Sequence, residues 1–337
     1  MTALIHERWP QVRQALPYWQ LGHGPTPVRR LTALPVGPGC DVWVKDDGAY
    51  GSVYGGNKVR KLEWILPDVA ARGRRTIVTV GALGTNHGLA TALYARERGL
   101  RCVVALVDQP VDDHVRRQLE RLERSGARLY MTHGRFRTYA AAPWILLRHS
   151  DLRRLRLPYF LTVGGSTPVG CLGFVEAALE LARQVEAGEL PEPSHVVAAL
   201  GSAGTAAGLA AGLRLAGLRT RVVGIVVNDR TRVGAPVVAN LANRTLKLLR
   251  RRGAQLPDER VQTGDLDAET AWLGDGYGHS TPAAERTRAD AAEREGLELD
   301  PVYTAKAMTG LLGLREQGRF GAGPVLFWQS HDTLHSA

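Results

Sequence analysis

RTIVTVGALGTNHGLATALYARERGLRCVVALVD, residues 75–108, decides the fold class. It opens on a short β-branched and apolar run, RTIVTVGA (75–82), after which GTN turns the chain into the helical pattern HGLATALYARERG. LRCVVALVD then reads as a second strand. Two near-continuous apolar strands separated by a helix-length crossover predict a parallel βαβ unit buried on both faces. The alternation recurs in DDHVRRQLERLERSGA with RLYMT, in PYFLTVGGS with GFVEAALELARQVEAG, and in HVVAALGSAGTAAGLAAGLRLAG with RVVGIVV. A last helix pair, TPAAERTRADAAEREG and AKAMTGLLGLREQG, precedes a final strand, GPVLFWQ. The expected class is α/β, with mostly parallel sheets covered by helices on both faces.

Composition narrows the function classes. At 337 residues, 44% hydrophobic and 23% charged, the chain is long enough for a sizeable core and two compact lobes. No run approaches the ~20 apolar residues of a membrane span, and MTALIHERWPQVRQ lacks the apolar middle of a secretory leader. The expected location is therefore the cytoplasm, away from membranes. Cys40, Cys102 and Cys171 are too widely spaced for a disulfide framework or a CxxC metal pair, so free, mostly buried thiols and no metal are expected. The formal charge of +10 is scattered as Arg-Arg pairs along amphipathic helices, without a basic tail or aromatic interleaving, which argues against nucleic acid. Of the 43 basic residues, 38 are arginines and five are lysines, at positions 45, 58, 61, 247 and 306. Arginine stays protonated, so chemistry that needs an amine has few candidates.

Strand-to-helix turns are where open α/β sheets bind ligands. In LGSAGTAAG (200–208) small residues let the backbone close around an anion, Ser202 and Thr205 offer hydroxyls, and a helix N-terminus offers unpaired N–H groups. The loop reads as a phosphate cradle, and read alone it is equally a tight helix-packing turn. Its spacing does not fit GxGxxG and no acidic residue follows to hold a ribose, which disfavours a dinucleotide. In GALGTNHG (81–88) Thr85 is a helix cap, while Asn86 and His87 would bind a carboxylate or a phenolate-like oxygen. YGGNKVRKLEW (54–64) sets Lys58 at a Gly-rich helix entrance without the spacing or the Ser/Thr of a P-loop.

The motifs GGNKVRKLEW, GALGTNHGLATA, YFLTVGGSTPVGCLGFVEAALEL, LGSAGTAAGLAAGL and LDPVYTAKAMTGLL stand in the order found in the 1-aminocyclopropane-1-carboxylate deaminase and D-cysteine desulfhydrase family, which the chain resembles over roughly residues 24–328. The resemblance implies a tryptophan synthase β-like fold of two lobes with open twisted sheets, and pyridoxal 5'-phosphate as cofactor. The expected small domain is 65–168, and 1–64 with 169–337 make the large, cofactor-binding one. Lys58 resembles the lysine that carries the cofactor as an imine, and Lys61, on the same helix face at i+3, the lysine that pairs with its phosphate. A neighbouring cation also lowers the pKa of an amine. Asn86 resembles the asparagine on the ring hydroxyl, and Ser202, Ala203, Gly204 and Thr205 match the phosphate loop. Thr85 and His87 stand near the substrate carboxylate, with Thr85 replacing the usual serine, and Tyr277 and Tyr303 match the two active-site tyrosines.

Two further positions bear on the reaction. Ring-opening deaminases carry an acid where this chain has Thr304, and a neutral hydroxyl there implies an unprotonated pyridine nitrogen suited to α-proton abstraction and β-elimination. The family's glycine pair after the last strand is replaced by Gln329-Ser330-His331-Asp332, and a solvated C-terminal turn is expected for His331 and Asp332. The resemblance implies a lyase or deaminase acting on a small amino acid, similar to D-cysteine desulfhydrase. Its products would be a 2-oxo acid and ammonia, with sulfide from D-cysteine, and its assembly a homodimer. Cyclopropane ring opening, racemisation, dehydration, β-replacement and a catalytically inactive ligand-binding relative are the alternatives.

Overall fold

Parallel pairing organises both sheets of the chain, whose computed structural model describes residues 2–34 and 41–335. The strands are β1 (Val28–Leu31), β2 (Val42–Asp46), β3 (Thr76–Ala82), β4 (Arg101–Val107), β5 (Arg128–His133), β6 (Tyr159–Leu161), β7 (His195–Leu200), β8 (Arg221–Val226), β9 (Leu266–Glu269) and β10 (Val325–Gln329). The α-helices are α1 (Leu4–Arg8), α2 (Asn57–Ala71), α3 (Asn86–Glu97), α4 (Asp113–Arg124), α5 (Arg135–Arg148), α6 (Pro168–Glu186), α7 (Gly204–Ala216), α8 (Ala235–Arg251), α9 (Pro282–Glu295) and α10 (Thr304–Glu316). One sheet runs β5-β4-β3-β6, parallel throughout. The other runs β1-β2-β10-β7-β8-β9 and is parallel except where β1 meets β2. The βαβ unit of residues 75–108 is β3-α3-β4, in register from Thr76 opposite Arg101 to Ala82 opposite Val107.

Apolar packing closes each sheet. Residues of α6, α7 and α8 form one core against the larger sheet, and α9 and α10 form another with Val197, Val223 and Phe327. A further core joins α2 and α3 to the smaller sheet. Helix α2 runs unbroken across residue 65 and is shared between the sheets through its contacts with α6 and α3. Cys102 and Cys171 are free and buried, and Cys40 lies outside the described residues. Among the described residues no helix is long and apolar enough to cross a membrane.

Helix α2 approaches α6 at backbone distance. A Cβ on Gly173 would stand 2.0 Å from the Arg60 carbonyl oxygen. Gly208 and Gly212 of α7 make the same kind of contact with α6, where a Cβ would come within 2.4 Å of Phe174 and 2.6 Å of Ala178. The small residues of GSAGTAAGLAAGL therefore serve helix packing in the body of α7.

The C-terminal turn corrects the expectation of a solvated segment. Asp332 is buried and accepts the Gly55 N–H at 2.8 Å, and Arg121 lies 3.5 Å from its second oxygen. The Ser330 carbonyl accepts the Asn57 N–H at 3.1 Å. Gly56, at φ +80, leaves no room for a side chain because a Cβ would stand 2.5 Å from that same carbonyl. Polar side chains thus fill the turn because it is the seat on which α2 begins. Helices α1, α5 and α8 and strands β1, β2 and β9 were not expected from the sequence; Pro143 inside α5 obscures its pattern.

Gly173→Ala tests the α2–α6 approach. Helix propensity alone would make alanine more stable by about 1 kcal/mol. The clash with the Arg60 carbonyl is expected to reverse that sign, to a loss of about 1–3 kcal/mol read as a lower urea midpoint. A midpoint that stays or rises would show that the helices can separate freely.

Candidate active site

The carboxyl ends of strands from both sheets open on one cavity of about 750 Å³. Its wall includes Ala82 of β3, Val107 of β4, Leu200 of β7 and Ser330 just after β10, the arrangement in which open α/β sheets bind ligands. Of the five lysines, only Lys58 and Lys61 line it. Lys45 is buried against Glu180 at 2.6 Å, Lys306 donates to the Leu273 and Gly276 carbonyls, and Lys247 is exposed.

Both lining lysines stand on the first turns of α2. The Lys58 ammonium donates to Asn57 Oδ1 at 2.7 Å, and burial, reinforced by Lys61, lowers its pKa to about 7. Burial outranks the like charge here. Lys61 Nζ donates to the Gly164 carbonyl at 3.1 Å, and burial lowers it to about 8. A Cβ on Gly204 would stand 2.9 Å from Lys61 Nζ and 2.6 Å from Ser166 Oγ. Only a glycine leaves this space, which makes a concavity bounded by a cation, a hydroxyl and the N-terminus of α7. Ser166 Oγ donates to Ser202 Oγ at 3.0 Å and accepts the Gly204 N–H at 3.0 Å. Ala203 holds the cap in the left-handed region at φ +67, and the Thr205 hydroxyl accepts from Asn57 Nδ2 at 3.3 Å.

The α3 entrance supplies a second polar edge. Thr85 caps the helix by accepting the Gly88 N–H at 3.1 Å, and it lines the cavity with Asn86 and His87. Asn86 Oδ1 accepts from Gln118 at 2.8 Å. His87 Nε2 lies 3.1 Å from Thr79 Oγ1, and burial followed by Lys58 and Lys61 lowers its pKa to about 3, so the ring is neutral at physiological pH. On another wall the Tyr303 hydroxyl donates to Tyr277 at 2.8 Å, and burial raises both phenols, keeping them protonated.

Thr304 departs from its expected place. It is buried behind the wall, its hydroxyl accepting the Asp300 N–H and donating to Asp300 Oδ2, both at 2.8 Å. The group lining the cavity there is Asp300, whose carboxylate also accepts the N–H groups of Val302, Tyr303 and Thr304. Burial pushes Asp300 up, but His331 and these N–H donors outweigh it and hold the carboxyl below its usual range. His331 lines the cavity as well, with Nδ1 4.0 Å from Asp300 Oδ2. Asp300, His331 and Ser166 were not anticipated as site residues. An aspartate just before a helix start is a visible capping signal, but nothing in the sequence aims it at the cavity.

A buried amine poised near neutrality beside an anion cradle at a helix N-terminus agrees with what similar proteins are. The family model described as pyridoxal-phosphate dependent enzyme matches residues 19–330. The chain belongs to this family. D-cysteine desulfhydrase of Salmonella paratyphi A is 35% identical over 316 residues, 92% of each chain, and that of Salmonella newport 34% over the same coverage. The crystal structure of an ACC deaminase homologue superposes with a TM-score of 0.78 at 30% identity, covering 98% of this chain and 95% of that one. O-ureido-L-serine synthase, at 20% identity and a TM-score of 0.61 over 93% of this chain and 90% of its own, shares the fold. The two-lobed α/β fold and the pyridoxal 5'-phosphate cofactor are those expected, and the chain is an enzyme of lyase or deaminase type. Its residues fit the cofactor: the Gly204 concavity leaves room beside the Lys61 cation for a phosphate, and burial lowers the Lys58 amine to about 7.

Two outcomes are expected of the amine. Borohydride treatment in the presence of pyridoxal phosphate should leave the adduct on Lys58 by peptide mapping, and an adduct on Lys45, Lys247 or Lys306 would refute the site. In cofactor-free protein, acylation of Lys58 should rise with pH through a midpoint near 7, and Lys61→Ala should move that midpoint upward because a like charge is removed.

Proposed function

We propose that this chain takes the α proton from a small β-substituted amino acid and expels the β substituent, giving a 2-oxo acid and ammonia, with sulfide when the substrate is D-cysteine. The observation that carries the reading is the buried Lys58 amine, lowered to about 7 by burial and by Lys61, which can hold or accept a proton at working pH. Similarity to the Salmonella D-cysteine desulfhydrases supports the substrate class.

Bound at this cavity, pyridoxal phosphate would supply an aldehyde for the substrate amine and a ring able to take up the electron pair left at Cα. Lys61, Ser202, Thr205 and the backbone at Ala203 and Gly204 would hold its phosphate, and Asn86 would hold its ring hydroxyl. Lys58 Nζ takes the α proton. Thr85, the neutral His87 and the N-terminus of α3 bind the substrate carboxylate. Because Tyr303 donates its proton to Tyr277, the Tyr277 hydroxyl keeps its own proton free for the leaving sulfur. Thr304 positions Asp300.

Cyclopropane ring opening is the second reading, favoured by the Asp300 carboxylate on the wall where the sequence suggested a neutral hydroxyl. A negative charge beside the ring nitrogen would favour its protonation and strengthen the electron sink. Residues 65–168 are proposed as the small domain, 1–64 with 169–337 as the large one, and the enzyme as a cytoplasmic homodimer. Exposed Phe136, Tyr139 and Leu147 of α5 support a partner, and the buried free thiols support a reducing compartment.

Sulfide and 2-oxo acid release from D-cysteine should exceed 1-aminocyclopropane-1-carboxylate turnover at least tenfold in kcat/KM, and Lys58→Ala should abolish both. The opposite preference would replace elimination with ring opening. Light scattering should return the mass of two chains, and the mass of one would remove the dimer.

A further inference from the structure

The chemistry above leaves the mouth of the cavity unused. Three exposed arginines are among the residues that line it: Arg135 at the start of α5, and Arg230 and Arg232 from the loop after β8. Arg135 donates to the Arg230 carbonyl at 2.8 Å. Arg230 donates to the Asp108 carbonyl at 2.7 Å and lies over the Tyr277 ring at 5.3 Å. Carbonyl acceptors orient a guanidinium without cancelling its charge, and arginine stays charged at any working pH.

Among the described residues no carboxylate comes within ion-pair distance of them. Asp300 has both oxygens taken by the N–H groups around the α10 start and by Thr304. Asp108 turns its carboxylate to His133 at 3.2 Å, and Asp229 accepts the Tyr277 N–H. Among the described residues none of the three arginines has an ion pair, and the Arg232 guanidinium has no hydrogen bond. The substrate carboxylate and the cofactor phosphate already have partners at the starts of α3 and α7. The mouth therefore holds three cations to which no anion is assigned, in a cavity of about 750 Å³, within the range of roughly 300–1,000 Å³ that takes a drug-sized ligand.

We propose that the substrate is an amino acid whose β substituent is itself an anion of the phosphate-ester class, with Arg230 and Arg232 holding the departing oxyanion and Arg135 meeting it from the other side of the cleft. This rests on the elimination reading and names its substrate. Fork-shaped donors match a phosphate in pairs, and fixed cations stabilise the charge that grows on a leaving group. The balance closes without an oxidant: the Cα–H bond breaks and its proton goes to Lys58 Nζ, the Cβ–O bond breaks and its electron pair leaves with the phosphate, and a Cα–Cβ double bond forms. Water then converts the released enamine into a 2-oxo acid and ammonium.

The test uses the full-length holoenzyme. Calorimetry compares each enantiomer of 2-amino-3-phosphonopropionate, whose C–P bond does not leave, with the matching enantiomer of 2-aminobutyrate. The phosphonate should bind at least tenfold tighter, the preference should shrink with added salt, and it should be lost in an R230A/R232A double variant and retained in part by R232K. In turnover, the ratio of kcat/KM for O-phosphoserine to that for D-cysteine should fall at least tenfold in R232A. Equal affinity for the two ligands, or a preference the arginine variants leave intact, overturns the proposal. A phosphonate preference without elimination from any β-substituted amino acid sustains the anion site and defeats the elimination reading. Elimination from D-cysteine without that preference does the reverse.

Discussion

Arg60 stands between the two lysines of the site, and the position of α2 rests on what it touches. Its side chain is almost fully buried, donates from Nε and Nη2 to the two oxygens of Asp47 at 2.8 Å each, reaches Glu180 at 3.0 and 3.1 Å, and lies over the Tyr50 ring at 4.1 Å. Asp47 also accepts from Trp328 at the end of β10 and from Thr26, and Glu180 accepts from Lys45 of β2. One guanidinium thus ties α2 to the strand ends of the larger sheet and to α6. Two cations balance two carboxylates, which is the condition under which charges remain buried; removing one partner of such a pair costs about 3–5 kcal/mol. Burial pushes Glu180 up, yet Arg60 and Lys45 outweigh it and hold the carboxyl near 2.

That anchorage sets the chemistry at Lys58 and Lys61. A lysine loses its proton near neutrality only where it is kept from water without a carboxylate beside it. Of the carboxylates near α2, Asp47 and Glu180 are held by Arg60 and Lys45 and Glu63 by Tyr50 and the N–H groups of Leu21 and Gly22, while the upward pull of Asp300 on Lys58 is outweighed by burial and by Lys61. Gly173 lets α6 lie against the backbone of α2, and Gly56 lets the C-terminal turn lie against its start. The helix is fixed at both its entrance and its side, so the two amines face the cavity together.

Much of this was legible from local pattern. The βαβ alternation follows from apolar runs and their spacing, the helix entrances led to Lys58, Thr85, Asn86, His87, Ser202 and Thr205, and the family resemblance added Lys61, Ala203 and Gly204; all of these line one cavity. Tyr277 and Tyr303 came through the family resemblance, and they meet hydroxyl to hydroxyl. The polar C-terminal end misled, because a charged Asp332 next to the terminus looks like a residue for solvent until Gly55 and Arg121 are seen to receive it.

The sequence by itself determined most of the segments that become parallel strands, which turns carry small and polar residues, and which lysine begins a helix behind two glycines. Those are local properties, set by side-chain shape and backbone freedom over a few residues. Only the tertiary structure decided that Asp300, held by Thr304, is the group on the wall, that Ser166 closes on Gly204 at the start of α7, and that Arg135 meets Arg230 across the mouth. These pairings join residues 4, 38 and 95 positions apart, and even the nearest depends on which way a helix cap turns its carboxylate. Burial and charge, which set the amine near 7, are properties of what packs around Lys58 and belong to no stretch of chain.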